Sequence, residues 1–238
     1  MEENQVPAGK EAQAYSVPWK PIDHWIGILL LALIDVALLI AAFQGLGTQL
    51  AQSAVLVVVQ LVYLLPLIVV FAYRRVNPLS LGFGRFEWSA LGIGCGLLAV
   101  SYSVIFVHNA LLALLGVDTQ GDQILQLFAA LDSPFWFILV GAGFAPVVEE
   151  FFFRGFLFQG FRQKYGWVNG ALLSSVIFGA AHLDLVAFIP TSILGFLLAY
   201  MYHRTNSVWV PIILHVLVNG FGLCLAYAAM QMPGVIPV

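Results

Sequence analysis

Long apolar runs separated by short polar stretches follow one another along almost the whole chain after residue 24. A helix needs ~20 mostly apolar residues to cross the ~30 Å hydrocarbon layer of a membrane. Seven runs qualify: Trp25–Phe43, Ala54–Tyr73, Trp88–Leu115, Ser133 to about Gln163, Trp167–Leu183, Val186–Tyr202 and Ser207–Tyr227. In addition, Gln123–Leu131 has the spacing of a short amphipathic helix at the membrane surface. The pattern predicts an all-α, polytopic transmembrane helical bundle of about seven spans.

The composition agrees with a membrane interior. Hydrophobic residues make up 61% of the chain and charged residues 9%, whereas soluble domains carry about 25% charged residues. The net charge of −3, without a basic patch interleaved with aromatic residues, excludes nucleic acid and leaves the lipid bilayer as the expected partner. Residues 1–22 are polar and predict a disordered cytoplasmic tail, and residues 23–230 predict a single transmembrane domain.

Lys and Arg residues indicate the orientation, because they concentrate in short cytoplasmic loops. With seven spans, all nine Lys and Arg residues fall on one side of the membrane. The connections on the opposite side carry Asp118, Asp122, Asp132 and Asp184 instead. The sequence therefore predicts a multi-pass membrane protein with a cytoplasmic N-terminus and an external C-terminus.

Two adjacent glutamates lie inside the fourth run. An ionisable side chain in the hydrocarbon layer costs about 2.5–3.5 kcal/mol on insertion scales, so it is retained for pairing or for function. Glu150 and Arg154 are four residues apart and share a helix face, which predicts an ion pair. Glu149 is rotated by about 100° from Glu150 and has no partner in its own helix. We therefore favour a functional role for Glu149.

Polar side chains also occur in the fifth and seventh runs. His182 follows Phe178 by one helical turn, and His215 and Asn219 are four residues apart and point the same way. Taken alone, His182 would more often be a packed core histidine. The other two could equally be a hydrogen-bonding pair between helices.

The depth of these residues favours a common site. If the fourth and fifth runs form a hairpin near Tyr165–Gly166, Glu149 and His182 both lie about 20–25 Å from the turn at ~1.5 Å per residue. Asn219 and His215 lie about 18 and 12 Å from the start of the last run by the same rise. We expect these side chains to surround one water-accessible cavity that opens toward the cytoplasmic half of the membrane.

Other residues bear on the packing. Asp35 is an acidic residue within the first run, and the sequence does not indicate which residue it pairs with. Pro146 removes a backbone hydrogen bond one turn before Glu149, which is tolerated where a neighbouring helix satisfies the freed carbonyl. A stripe of small residues beside His182 would let another helix approach closely: Ala171, Ser175 and Gly179.

Residues 133–227, the predicted catalytic core, resemble the CAAX-protease and bacteriocin-processing family, also called Abi, which includes the type II CAAX prenyl endopeptidases. The order and spacing of three motifs together make the resemblance specific. They are Glu149-Glu150-x-x-x-Arg154-Gly155, Phe178-x-x-x-His182 and His215-x-x-x-Asn219.

The resemblance implies an intramembrane endopeptidase acting on a membrane-bound peptide or protein, with a prenylated C-terminus or a leader peptide as alternatives. Glu149 and His182 would hold and activate a water, with the carboxylate as general base. His215 and Asn219 would stabilise the oxyanion of the tetrahedral intermediate. The supporting residues would be Glu150, Arg154 and Phe178.

Metal use and two other functions stay open. Glu149, His182 and His215 would make a three-ligand site for Zn or another divalent metal. The spacing His-Glu-x-x-His is absent, however, and Asn219 is a poor zinc ligand, so a mechanism without metal or other cofactor is favoured. A proton- or ion-coupled transporter would also place ionisable residues inside the membrane. A noncatalytic scaffold of the same family is the third alternative.

Overall fold

A computed structural model describes residues 16–43, 52–129 and 134–232, which form an all-α bundle. The helices are α1 (Pro21–Phe43), α2 (Gln52–Tyr63), α3 (Leu65–Arg74), α4 (Ser89–Leu114), α5 (Gln120–Ala129), α6 (Pro134–Leu139), α7 (Ala145–Glu150), α8 (Gln159–Ala180), α9 (Leu185–Thr205) and α10 (Trp209–Met230). A 3₁₀ turn spans Pro78–Leu81, and π-helical segments at Val140–Phe144 and Phe151–Phe158 join α6, α7 and α8 into one run.

Six helical runs in the described part are long and apolar enough to cross a membrane. One of them, Pro134–Ala180, has 47 residues and would be about 70 Å long if straight, more than twice the ~30 Å layer. The run turns back at Gly166, whose φ of 79° and ψ of 166° are open essentially to glycine alone. A Cβ atom at Gly170 would lie 2.7 Å from the Arg162 backbone nitrogen, although a straight helix holds these residues about 12 Å apart. The predicted hairpin is therefore present, and this run forms two adjacent helical segments.

The amphipathic helix α5 begins three residues earlier than predicted, at Gln120. The Asp122 carboxylate accepts hydrogen bonds from the Thr119 hydroxyl and backbone N–H (both 2.7 Å), and the Asp122 N–H donates to the Thr119 hydroxyl (3.3 Å). This reciprocal arrangement caps the first turn. The same hydrogen bonds from Thr119 hold the pKa of Asp122 below its usual value. Residues 130–133 lie outside the described part.

Seven of the described Lys and Arg residues lie at one end of the bundle, where the ends of several helices meet. Arg74 forms a salt bridge with Asp23 (2.8 Å), and Arg162 Nη2 donates to Asn206 Oδ1 (2.9 Å). We call this the basic end. It carries Lys20, Arg74, Arg75, Arg85, Arg162, Lys164 and Arg204. Arg154 is the exception to the predicted one-sided placement, because it is buried inside the bundle.

The last residues of the predicted tail are packed. Trp19 is 3% exposed, its Nε1 donates to His24 Nε2 (2.8 Å) and its ring centroid lies 5.3 Å from that of Phe156. The bundle therefore begins before residue 23, because Trp19 fills a position against α1 and the α7–α8 run. Residues 1–15, including Lys10, and the predicted start of the core at Ser133 lie outside the described residues.

The stripe of small residues on α8 contacts α9, as predicted. A Cβ atom at Gly195 would lie 3.1 Å from the Ser175 Cα, and one at Gly179 would lie 2.8 Å from the Phe188 carbonyl oxygen. Such backbone approach is possible only with small side chains on the facing surfaces. It brings α9 next to the part of the chain that carries Glu150 and Arg154.

Candidate active site

Glu150 and Arg154 form the predicted ion pair, buried at 0% and 1% side-chain exposure. Arg154 Nη1 donates to Glu150 Oε1 (2.9 Å), and Nη2 donates to the Gly195 carbonyl (3.1 Å). The guanidinium carbon also lies 4.4 Å from the Phe178 ring centroid. The close approach of α9 supplies the carbonyl. Arg154 is thus held within the core and does not extend to the membrane surface.

Glu150 has a second partner, on α10, that the sequence did not indicate. His215 Nδ1 lies 2.8 Å from Glu150 Oε1. A carboxylate paired with a permanently charged arginine only accepts hydrogen bonds, so Nδ1 carries the proton. The other ring nitrogen, Nε2, lies 3.8 Å from Glu149 Oε2. Glu150 therefore orients His215, and Arg154 stabilises the carboxylate that does so.

Glu149 points away from this pair, as its position on the helix predicts. Its side chain is 14% exposed. Its Oε2 atom is buried and has no hydrogen-bond partner among the described residues. The 3.8 Å separation from His215 Nε2 is longer than a hydrogen bond. Glu149 is therefore a carboxylate with an oxygen that is free to accept a proton or a hydrogen bond.

His182 lies just beyond the end of α8, where its ring packs edge-on against Phe178 at 4.8 Å between centroids. Its Nδ1 lies 2.8 Å from the Phe178 carbonyl oxygen. Because a carbonyl only accepts, Nδ1 is the protonated nitrogen of the neutral ring. Nε2 then keeps a lone pair. Phe178 is buried and also meets the His215 ring at 5.7 Å, so one aromatic side chain supports both histidines.

Asn219 satisfies a carbonyl that Pro146 leaves without a donor. Ala145 N–H bonds to the Val140 carbonyl, five residues back, so the helix is π-helical there. In this register the Gly141 carbonyl would accept from residue 146, which is a proline and has no N–H. Asn219 Nδ2 donates to Gly141 O instead (3.0 Å). The amide keeps a second N–H.

This arrangement predicts coupling between Asn219 and Pro146. Asn219→Ala leaves the Gly141 carbonyl without a donor and should destabilise the protein by about 1–3 kcal/mol. In a Pro146→Ala background the new backbone N–H can bond to that carbonyl, so Asn219→Ala should then cost less. A double-mutant cycle measured by thermal unfolding in detergent tests this. Additive costs would show that Asn219 does not replace the missing donor.

The four predicted catalytic side chains line one cavity of about 670 Å³: Glu149, His182, His215 and Asn219. From this site the cavity runs past Asn109 on α4 to Gly121 and Asp122 on α5. It therefore extends away from the basic end and toward α5. Glu149 and His182 lie far along their helices from the Gly166 turn, which places the site near the opposite end.

Asp35 has a hydrogen-bond partner that the sequence did not indicate. The Tyr63 hydroxyl on α2 donates to Asp35 Oδ1 (2.6 Å), and Asp35 is 7% exposed. Asp35 lies near His182, and Tyr63 lies near Glu149. The first two spans therefore contribute a polar pair beside the candidate site. Only the occurrence of an acid in an apolar run indicated that Asp35 had a partner.

The hydrogen bond between Tyr63 and Asp35 predicts that the Tyr63 hydroxyl stabilises the folded protein. Tyr63→Phe removes the donor from a buried carboxylate and should cost about 1–3 kcal/mol in the free energy of unfolding. Tyr73→Phe, at a tyrosine that is 75% exposed, is the matched control and should cost little. Thermal unfolding of both variants in detergent measures the difference. Equal melting temperatures for the two would contradict a role of the Tyr63 hydroxyl in holding Asp35.

Metal binding is the alternative role predicted for Glu149, His182 and His215. Among residues 16–43, 52–129 and 134–232, no three His, Cys, Asp or Glu side chains stand together in a group that could hold a metal ion. His215 Nδ1 and His182 Nδ1 are each engaged by an acceptor within the protein, which leaves Nε2 as the remaining nitrogen of each ring. The choice between the metal-free and the metal-dependent mechanism therefore stays a prediction.

Comparison with known proteins places these features in a family. A family model described as type II CAAX prenyl endopeptidase Rce1-like matches residues 131–221. The Bacillus subtilis (strain 168) protein named "Putative membrane peptidase YdiL" is 31% identical over 106 residues, 44% of this chain and 43% of that protein. The chain thus spans less than half the length of that relative.

An uncharacterized 24.3 kDa protein of Escherichia coli is 30% identical over 171 residues, which cover 68% of this chain and 76% of that protein. No solved structure gives a significant match. The family model covers the part of the chain that carries all three motifs, from Glu149 to Asn219. The chain belongs to the CAAX-protease and bacteriocin-processing family of membrane proteins.

Proposed function

We propose that this protein is an intramembrane endopeptidase that cleaves membrane-bound peptides with a water activated by Glu149 and His182. One observation carries the proposal: two hydrogen-bond acceptors and two donors line the same cavity. The Glu149 carboxylate and His182 Nε2 are the acceptors, and His215 Nε2 and the second N–H of Asn219 are the donors when His215 is protonated.

A peptide bound in the cavity would place its carbonyl group next to both the two acceptors and the two donors. A water that donates its hydrogens to Glu149 and His182 presents an oxygen lone pair to the carbonyl carbon. As the C–O bond forms, Glu149 takes one water proton and the carbonyl π electrons move to the oxygen. His215 and Asn219 donate hydrogen bonds to that oxyanion. When the carbonyl reforms, the C–N bond breaks and Glu149 passes its proton to the leaving nitrogen.

Each step uses the chain's own residues, and we propose that no metal or other cofactor takes part. The placement of His215 supports this part of the proposal. The His215 ring lies between two carboxylates, with Nδ1 facing Glu150 and Nε2 facing Glu149, and in our proposal the protonated ring is the charged donor to the oxyanion. Chelation of divalent metals should therefore leave cleavage unchanged. Loss of cleavage that zinc restores would contradict the metal-free mechanism while leaving the peptidase assignment intact.

The activity is tested with purified protein in detergent and a panel of fluorogenic membrane peptides. Cleavage that stops in Glu149→Gln supports the proposal. The same protein in liposomes should conduct no protons or ions. Flux that depends on Glu149 without peptide cleavage would instead identify the protein as a transporter. A protein that does neither, and whose Glu149 variant keeps its full biological effect in cells, would be a noncatalytic scaffold.

A further inference from the structure

We infer that the cavity opens on the non-cytoplasmic face of the membrane, and that the substrate is an extracytoplasmic peptide and not a cytoplasmic prenylated C-terminus. The identity of the substrate rests on the proposed peptidase function. The direction of the cavity is independent of that function, because it follows from the arrangement of helices and charges.

The first argument is the course of the cavity relative to the helix ends. Helix α4 begins at Ser89, close to Arg85 at the basic end, and Asn109 lies near the opposite end of that helix. Helix α10 begins at Trp209, close to Arg204, and Ala229 lies at its far end. Asn109 and Ala229 both line the cavity, and neither arginine does. The cavity therefore reaches the surface at the end opposite the basic residues.

The second argument is the charge at the two ends. The basic end carries Lys and Arg from four separate regions of the chain: the start of α1, the α3–α4 connection, the turn near Gly166 and the end of α9. The far end carries Asp118, Asp122 and Asp184 and no Lys or Arg among the described residues. Lys and Arg in short connections are retained on the cytoplasmic side. The mouth of the cavity is then external.

The third argument is the charge of the cavity itself. Glu149 and Asp122 line it, whereas no Lys or Arg is found among its lining residues in the described part of the chain. The Thr119 hydrogen bonds favour the ionised carboxylate of Asp122 at the mouth. A prenylated C-terminus would bring a free carboxylate close to the scissile bond, and recognition of such a carboxylate needs a cation or N–H donors in addition to His215 and Asn219, which the proposed mechanism uses for the oxyanion. An internal peptide segment has no such requirement.

The exposed position of the mouth makes the inference testable by cysteine labelling. The chain has two cysteines, Cys95 and Cys224, which are free and exposed, so the background protein carries Cys95→Ser and Cys224→Ser. Gly121→Cys probes the mouth, where the nearest atom to an added Cβ is 3.5 Å away. Gly222→Cys probes the cavity wall, where nothing lies within 4 Å. Leu79→Cys, 68% exposed at the basic end, is the matched control.

A membrane-impermeant thiol reagent is applied to intact spheroplasts and to inside-out vesicles from the same cells. We expect Gly121→Cys and Gly222→Cys to react in spheroplasts, with Leu79→Cys reacting only in inside-out vesicles. The reverse pattern, or reaction of both ends from the same side, would overturn the inference.

Peptide cleavage by each variant in detergent is measured in parallel. Its presence or absence tests the proposed function independently of the labelling, because detergent gives access to both ends. A protein that cleaves in detergent but labels at Gly121→Cys only from the inside would keep the peptidase proposal and refute the external site.

Discussion

Glu149→Gln is expected to lower the turnover number for peptide cleavage by a factor of about a hundred or more. Glutamine keeps the size and the hydrogen-bonding capacity of the side chain, but its amide cannot take a proton from water near neutral pH. The nearest charged partner of Glu149 is His215, with Nε2 3.8 Å from Oε2, and Glu150 still pairs with that ring, so the substitution strands no charge. The melting temperature in detergent should therefore stay close to that of the unmodified protein.

Glu87→Gln is the matched control, because the same chemical change is made at an exposed glutamate beside the basic end. Single-turnover cleavage of a fluorogenic membrane peptide by the two variants separates the loss of a base from a change in substrate binding. Normal cleavage by Glu149→Gln would remove Glu149 from the chemistry. A large drop in melting temperature would show that Glu149 has a structural partner after all.

Glu150→Ala is expected to act first on stability. It leaves Arg154, which is 1% exposed, without its carboxylate, and breaking a buried ion pair costs about 3–5 kcal/mol. It also removes the acceptor that orients His215 through Nδ1. Expression level and melting temperature in detergent should fall, and cleavage should fall with them.

Replacing both charges separates the two effects of Glu150. The double variant Glu150→Leu/Arg154→Met leaves no orphaned charge, so it should recover part of the lost stability. It should not recover cleavage, because His215 still lacks its acceptor and its ring is free to turn. Recovery of both stability and cleavage would show that Glu150 serves only Arg154. Failure to recover stability would indicate that contacts of Arg154 with Gly195 and Phe178 dominate the local packing.

Local relations along single helices could be predicted well. The pairing of Glu150 with Arg154 follows from a separation of one helical turn, and so does the different direction of Glu149. The hairpin near Gly166 follows from two apolar runs that are joined by a very short connection. The contact of the small-residue stripe with another helix was predicted too, although α9 as the neighbour was not.

Relations between distant segments were predicted less well. The hydrogen bond between Glu150 and His215 joins residues 65 positions apart, and that between Tyr63 and Asp35 joins residues 28 apart. The role of Asn219 toward Gly141 depends on a shift from α-helical to π-helical hydrogen bonding before Pro146. The extension of the cavity to α5 was not predicted, because equal depth along the helices says how far a site lies from a turn but not where water enters.

By itself the sequence determined the membrane location, the all-α bundle of apolar helices, the end that carries the positive charges and the motifs that identify the family. These follow from the length of apolar runs, the 3.6-residue helical period and the cost of charges in hydrocarbon, all of which act locally. Only the tertiary structure decided which ring nitrogen of His215 meets Glu150, which carbonyl Asn219 satisfies and which end of the bundle the cavity reaches. Those contacts depend on how each helix is rotated and shifted against its neighbours. Rotation and shift are set by side-chain packing summed over several helices at once, and no single stretch of sequence carries that information.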